Sequence, residues 1–320
     1  MTTKNWLMGR LLLAAALLVA VGAVPASADD DTDDITDLIN DVGQPYAEGY
    51  LAPLISGFGI NQNSGLYHSA SIPKVGLQVS FALKGMATKI GDDDKSFRVS
   101  RRVDLSDYLN PGDPGYGEQG VLVFEGPTVF GPEDEPGTVT GYWHGIPVYE
   151  AEGIESLIDS DYVPLFTPEV SVGTANIRGT LRWLPEIDAG DVGKIKYMGY
   201  GLSYNLNGMF PTLPVDVMVG FFKQSLDVGE SVETEASSLY AAVSKSFTMV
   251  TVYGGLAKES SSMDVNYDLE DGSGTVAFSL DGVQESRATM GATLNLGLKL
   301  NAEVSFGNLT TFAGGVIFGF

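Results

Sequence analysis

The stretch Arg287–Phe320 has the sequence RATMGATLNLGLKLNAEVSFGNLTTFAGGVIFGF. From Ala288 onward every second residue is apolar, and these residues are Ala288, Met290, Ala292, Leu294, Leu296, Leu298, Leu300, Ala302, Val304 and Phe306. The residues between them are small, polar or charged. A period of two places the two sets on opposite faces of a β-strand. After a break at Asn308, the apolar set continues with Phe312, Val316, Phe318 and Phe320.

A soluble sheet that ends on such a strand would leave an apolar, aggregation-prone edge. Closure into a barrel removes the edge, and in lipid it is the only way for strands to satisfy their backbone groups. The terminal strand ending in Phe resembles the last strand of Gram-negative outer-membrane barrels. The resemblance implies that Phe318 and Phe320 form an assembly signal, which the barrel-assembly machinery reads. We therefore predict an all-β fold, a transmembrane antiparallel β-barrel in the outer membrane.

The start of the chain indicates export. Lys4 and Arg10 form a positive region, Leu11 to Val24 an apolar region, and Ala26-Ser27-Ala28 a small-residue cleavage site. This order is typical of a cleaved signal peptide over residues 1–28. A retained membrane anchor is the alternative, although the apolar run is short for a spanning helix.

The composition excludes several classes of function. The formal net charge is −23, which gives no electrostatic basis for binding nucleic acid. The chain contains no cysteine, so disulfides, cysteine metal sites and thiol nucleophiles are excluded. The mean hydropathy is +0.08 without any long apolar run, as expected when half of each strand faces a lumen.

Residues 29–70 precede the first strand. Asp29 to Asp34 form an acidic tail, and the spacing of apolar residues from Ile35 to Ile55 is helical. Gly43 and Pro45 divide this stretch into two short amphipathic helices. We predict that the helices either plug the lumen or lie against the periplasmic rim, and that residues 71–320 form the barrel.

The next stretch, Gly57 to Ala70, is rich in turn-forming residues. Together with the short helical start and the terminal Phe strand, it resembles the long-chain fatty-acid channel (FadL-like) family of outer membranes. Asn63-Ser64-Gly65-Leu66 stands where that family has an Asn-Pro-Ala-Gly run. The resemblance implies a passive channel for small or hydrophobic solutes, gated by an N-terminal plug. The candidate plug or lumen residues are Asn61, Asn63, Gly65 and His68.

The first strand is predicted at Val75 to Leu83, and a second at Phe97 to Leu105. Arg98, Arg101 and Arg102 on the second strand form a basic cluster. Such arginines line the lumen of selective pores, or they pair with nearby carboxylates. From Ser106 to Tyr162 we predict one strand and long loops, with Trp143 and His144 in an interfacial aromatic girdle or at a ligand mouth.

Strands return in series from Val163. The predicted segments are Val163–Gly173, Asn176–Leu184, Lys194–Leu206, Pro214–Leu226, Thr234–Phe247 and Thr248–Glu259, followed by the terminal strands. The stretch Tyr267 to Leu280 is predicted to be a protruding hairpin. With both termini in the periplasm the number of strands is even, which predicts about 12 strands, with ten and 14 as alternatives.

No arrangement of residues indicates an enzyme. The only histidines, His68 and His144, have no metal-ligand spacing, and neither forms a convincing triad by position. We predict no catalysis and no cofactor. The expected partners are outer-membrane lipid, the assembly machinery and a small hydrophobic solute. The alternative function is a non-transporting structural or adhesion barrel with acidic extracellular loops.

Overall fold

The computed structural model describes residues 44–319 except 133–135, 154, 157, 159, 189–193, 230–231 and 269–274. The predicted signal peptide, the acidic tail and the first predicted helix therefore lie outside the described residues. The described chain forms two units. One contains residues 44–54 and 90–161, and the other contains residues 55–89 and 162–319.

The described residues form one long helix and fifteen strands. Helix α1 is Gln44–Gln62. The strands are β1 Gln78–Lys89, β2 Ser96–Asp104, β3 Gln119–Pro127, β4 Thr138–Trp143, β5 Ile146–Glu152, β6 Tyr162–Thr174, β7 Ile177–Asp188, β8 Lys194–Asn205, β9 Asp216–Val228, β10 Val232–Ser246, β11 Val250–Asp268, β12 Thr275–Asp281, β13 Ser286–Leu296, β14 Leu298–Phe306 and β15 Thr310–Gly319.

The second unit is a closed antiparallel barrel. Its strands follow the order β10-β9-β8-β7-β6-β1-β15-β14-β13-β11, and β11 pairs again with β10 to complete the circle. The first and last strands of the barrel are neighbours, with Phe81 opposite Phe318 and Lys89 opposite Thr310. Every barrel strand therefore has a partner on both sides, and no barrel edge is left unpaired.

The outer surface of the barrel is apolar. The even-numbered residues predicted to share a face in β13 and β14 include exposed Met290, Leu300 and Phe306, whereas Thr293, Asn301 and Ser305 between them are buried. This alternation confirms the face assignment from sequence. Towards the rim at which β1 ends, the outward positions of β8, β9 and β10 become charged, with ion pairs Lys196–Asp227 and Lys223–Glu235.

The barrel is smaller than the main prediction. Among the described residues ten strands close it, which is one of the two alternatives, and β12 pairs with β11 outside the circle. The strand at Phe97–Leu105 was wrongly assigned to the barrel: β6 pairs directly with β1, so the chain between them contributes no barrel strand. The predicted hairpin at Tyr267 to Leu280 is confirmed as β11 with β12, and its tip lies outside the described residues.

Helix α1 contains the second of the two predicted short helices and is longer than predicted. Pro45 lies in its first turn, where a missing backbone N–H costs nothing because that group has no helical partner. The helix also continues to Gln62, through a stretch predicted to be a turn. Gly57 and Gly59 allow the helix to approach the barrel strands closely. A Cβ on Gly57 would lie 2.6 Å from Val163 Cγ2, and a Cβ on Gly59 would lie 2.1 Å from Ser261 Oγ.

The first unit is a four-stranded antiparallel sheet, β2-β3-β4-β5. The first half of α1 packs against this sheet. Tyr46 contacts Phe97 and Phe124 edge-on, with ring centroids 5.0 and 5.6 Å apart. The sequence prediction of one strand and loops over Ser106–Tyr162 was therefore wrong, since three strands lie there. At the base of the sheet, the Lys95 amine donates to Asp161 over 2.6 Å, which raises the pKa of Lys95.

The basic cluster and the aromatic pair both belong to this sheet. Arg98, Arg101 and Arg102 are exposed on β2, and Arg98 forms an ion pair of 3.1 Å with Glu125. Trp143 ends β4 and His144 lies in the turn after it. Their assignments to the barrel wall and to a barrel girdle were wrong, whereas the alternative for the arginines, pairing with carboxylates, is confirmed for Arg98. A period of two cannot distinguish a strand of a separate sheet from a barrel strand.

No described helix is long and apolar enough to cross a membrane.

The outer face gives a direct test. Leu202 lies on the apolar outer face of β8 and is 63% exposed. We expect Leu202→Arg to reduce the yield of folded barrel in lipid vesicles, because a lipid-facing cation near mid-membrane costs about 2–4 kcal/mol. Leu202→Met keeps the apolar surface and is the matched control. Equal folding yields for the two variants would show that this face does not contact lipid.

Candidate functional site in the barrel lumen

Residues 55–73, here called the inner segment, occupy the interior of the barrel unit. The segment comprises the last turns of α1 and the extended chain that leads to β1. Most of its residues are buried. Inward-facing side chains from opposite sides of the barrel contact it, so we treat this interface as the candidate functional site.

Arg182 on β7 is the first of two arginines that bind the turn of the inner segment at Gln62–Gly65. Its side chain is fully buried and forms an ion pair of 3.1 Å with Glu169 on the neighbouring strand β6. The same guanidinium donates to the backbone carbonyls of Gln62, Ser64 and Gly65, over 3.1, 3.0 and 2.7 Å. One wall side chain therefore satisfies three carbonyls at and just past the C-terminal end of the helix.

Arg287 on β13 binds the same turn with a second guanidinium. It forms a buried ion pair of 2.7 Å with Glu259 on β11. It donates to the Asn63 carbonyl and, over 2.6 Å, to Ser64 Oγ. Since β7 and β13 are separated by several strands in each direction around the barrel, the two arginines fix the turn from different parts of the wall.

Glu303 on β14 supplies an acceptor to the segment. Its carboxylate accepts from the Gly65 backbone N–H over 2.9 Å and from the Tyr253 hydroxyl over 2.9 Å. Gly65 has φ +65°, a conformation that glycine adopts without strain. Beside it, the Tyr67 ring stacks on Tyr240 with centroids 5.2 Å apart and meets Tyr253 edge-on at 5.6 Å. Polar and aromatic contacts thus meet at the middle of the lumen.

The four plug residues predicted from sequence all lie on this segment. Asn61 donates to the Val163 carbonyl over 2.5 Å and accepts from Thr88 over 2.8 Å. Asn63 donates to the Ser260 carbonyl over 3.3 Å. The His68 side chain is buried, and its backbone carbonyl accepts from Thr293 over 2.9 Å. All four residues therefore lie along the inner segment, in contact with the inner wall of the barrel.

Several polar atoms of the wall are buried without a hydrogen bond among the described residues. They include Lys84 Nζ on β1, Thr167 Oγ1 on β6 and Asn301 Oδ1 on β14. Lys84 lies directly opposite Thr167 and, on its other side, opposite Gly315. A Cβ on Gly315 would lie 2.7 Å from Lys84 Cδ, so the glycine makes room for the lysine stem. The wall beside the segment is thus polar and incompletely satisfied.

The two arginines that bind this turn were not identified from sequence, whereas Arg98, Arg101 and Arg102 were singled out. A usable signal was present, because Arg182 falls within a period-two strand at a position facing away from exposed Leu181 and Trp183. A charged residue on the inner face of a barrel strand needs a partner inside. The candidate assembly signal is only partly described: Phe318 faces outward on β15, and Phe320 lies outside the described residues.

The buried pair predicts a large stability effect. We expect Arg182→Met to lower the free energy of unfolding by about 3–5 kcal/mol, because it leaves Glu169 as an uncompensated buried charge. The measurement is urea unfolding in detergent, with the folded barrel quantified by its altered gel mobility. Arg182→Met combined with Glu169→Gln should recover part of the loss.

The matched control is the exposed pair of Arg98 with Glu125. The Arg98 side chain is 65% exposed, so Arg98→Met should change the free energy of unfolding by no more than about 1 kcal/mol. Similar effects for the two arginine substitutions would contradict a holding role for Arg182.

Comparison with solved structures finds weak likenesses to bacterial outer-membrane proteins. The loop L8 deletion mutant of OmpT from Vibrio cholerae is 13% identical, with 77% of this chain and 99% of that chain covered and a TM-score of 0.27. The β domain of the Bordetella autotransporter BrkA is 10% identical, with 77% and 100% covered and a TM-score of 0.31. OpdO from Pseudomonas aeruginosa is 10% identical, with 79% and 99% covered and a TM-score of 0.22.

Likeness at this level does not identify a function. It also does not show a relationship to the long-chain fatty-acid channel family, which stays a prediction. No curated protein sequence matches the chain. The model of one protein family, described as a family of unknown function (DUF6588), matches residues 7–320. The chain therefore belongs to the DUF6588 family.

Proposed function

We propose that the protein is an outer-membrane barrel that the inner segment plugs, and that it anchors residues 90–161 to the membrane. The observation that carries this proposal is the binding of one turn of the inner segment by two buried arginines, Arg182 and Arg287. The barrel supplies the membrane anchor, and the insertion between β1 and β6 supplies a separately folded unit.

The outer face supports residence in a membrane. Closure of the sheet satisfies the backbone of every barrel strand internally, which is the condition for a β-structure in lipid. The outward side chains form an apolar surface, limited on β8 and β9 by ion-paired lysines. We place the barrel in the outer membrane of a Gram-negative bacterium, with lipid and the barrel-assembly machinery as its partners. Phe318 and Phe320 remain the proposed assembly signal.

The contacts of the inner segment favour a closed resting state. Release of the segment would leave Arg182 and Arg287 without the backbone acceptors that they now bind in the interior. It would also leave Glu303 without the Gly65 N–H. Leaving a buried donor or acceptor unsatisfied costs about 1–3 kcal/mol per group, and more for charged groups. Several such groups act together here, which opposes spontaneous opening.

A channel gated by the same segment is the second candidate. The inner wall favours it, because its buried side chains include Ser80, Thr88, Thr167, Ser171 and Thr311, which suit a water-filled lumen. If the segment leaves the lumen, the polar wall fits small hydrophilic solutes better than the hydrophobic solutes predicted from sequence. We propose no catalytic activity.

Conductance in planar bilayers tests these two functions. We expect the native protein to show no steady conductance, because the segment fills the lumen. A variant with Gly59–Leu66 replaced by a Gly/Ser linker of equal length should conduct, since it lacks the arginine-bound turn. The matched control replaces the exposed turn Pro111–Gly117 with a similar linker and should stay closed.

The outcomes separate the candidates. Steady conductance of the native protein would contradict the closed anchor and favour a channel. A linker variant that folds but stays closed would show that the inner segment is not the obstacle. Folding of each variant is checked by gel mobility before insertion into the bilayer.

A further inference from the structure

The inner segment begins at the rim where β1 ends and β6 begins. Gly57 packs against Val163, the second residue of β6. Asn61 donates to the Val163 carbonyl over 2.5 Å and accepts from Thr88, the penultimate residue of β1, over 2.8 Å. The last turn of helix α1 therefore lies at this rim.

The segment ends at the opposite rim. The Ala70 carbonyl accepts from Asn205, the last residue of β8, over 2.7 Å. The Pro73 carbonyl accepts from the backbone N–H of Asn176, in the tight turn between β6 and β7, over 3.0 Å. The chain then starts β1 at Gln78, close to Gly319 at the end of the last strand, because Ser80 is paired with Gly319.

Between these two ends the contacts with the wall follow the order of the segment. Asn61 binds at the first rim, and the carbonyls of Ser64 and Gly65 then accept from Arg182. Tyr67 next packs against Tyr240 and Tyr253, and the carbonyls of Ser69 and Ser71 accept from Arg178. The inner segment therefore crosses the lumen lengthwise, in the direction opposite to β1.

The chain before the inner segment belongs to the inserted unit. Tyr50 donates to the Glu155 carbonyl over 3.0 Å, and its own carbonyl accepts from the Val129 N–H over 3.1 Å. Residues 44–54 thus complete the core of the unit formed by residues 90–161. By chain connectivity, both parts of that unit join the barrel at the rim where β1 ends.

We propose that the N-terminal part of the chain, up to Leu54, lies on the same side of the membrane as residues 90–161, and on the side opposite the C-terminus. The proposal rests on the membrane location proposed above. It departs from the sequence expectation that both termini lie in the periplasm. β1 begins and β15 ends at the same rim, so the number of barrel strands is even, as expected. The chain before β1, however, crosses the lumen and reaches the opposite rim.

Single cysteines test the sidedness, because the native chain has none. The variants are Thr32→Cys before the helix, Asp107→Cys in the insertion, and Thr212→Cys in the exposed turn between β8 and β9. Each is treated on intact cells with a membrane-impermeant maleimide, and again after permeabilisation of the outer membrane. Mass spectrometry of the purified chain confirms that residue 32 is present, and gel mobility confirms folding.

We expect Thr32→Cys and Asp107→Cys to be labelled on intact cells, and Thr212→Cys only after permeabilisation. Labelling of Asp107→Cys with protection of Thr32→Cys would overturn the inference and leave the proposed anchor intact. Protection of both, with Thr212→Cys labelled, would reverse the proposed membrane orientation. The inference would hold in that case, because the N-terminal part would still lie beside the insertion.

Discussion

The pairing of the first barrel strand with the last is the constraint on which the rest of the structure depends. Because β1 pairs with β15 and β10 with β11, the barrel has an inside and an outside but no unpaired barrel edge. Period two then divides each strand into an apolar outer set and a polar inner set. Closure therefore creates a polar interior that needs hydrogen-bond partners, and the inner segment provides them.

The buried charges of the interior are best understood as a connected set. Glu169 and Glu259 each hold an arginine, and both arginines reach the same short turn of the inner segment. Buried ion pairs contribute little net stability compared with apolar packing, but breaking one of them is costly. Such pairs are therefore well suited to fixing one position of a segment in the lumen, and poorly suited to allowing it to slide.

Helix α1 connects the two units through the chain itself. Its first half packs Tyr46 and Tyr50 into the inserted unit, and its last turn reaches Asn61 in the barrel. Pro53 lies inside the helix, next to the last residue of the first unit.

The sequence was sufficient for most barrel strands from Val163 onward and for their faces, because these strands show a period of two. It ended β11 too early, since the strand predicted to stop at Glu259 continues to Asp268. It was insufficient for Phe97–Leu105, where the same period belongs to a separate sheet with exposed arginines. It also failed at Gly57–Gln62, where glycines that look like turn formers allow a helix to approach the wall. The role of Arg182 and Arg287 could not be predicted, because that requires knowing which distant strands face each other across the lumen.

The central claim is that the inner segment lies inside the barrel, and a cysteine pair tests it most directly. Ser69 Oγ and Ser244 Oγ are 3.4 Å apart, one on the segment and one on β10. The pair Ser80→Cys and Ser171→Cys, whose parent oxygens are 2.7 Å apart on neighbouring wall strands, is the control. We predict that Ser69→Cys with Ser244→Cys forms a disulfide in the folded barrel under mild oxidation, as the control pair does, detected by mass spectrometry. A disulfide in the control pair alone, with both thiols of the test pair still open to alkylation, would contradict the claim.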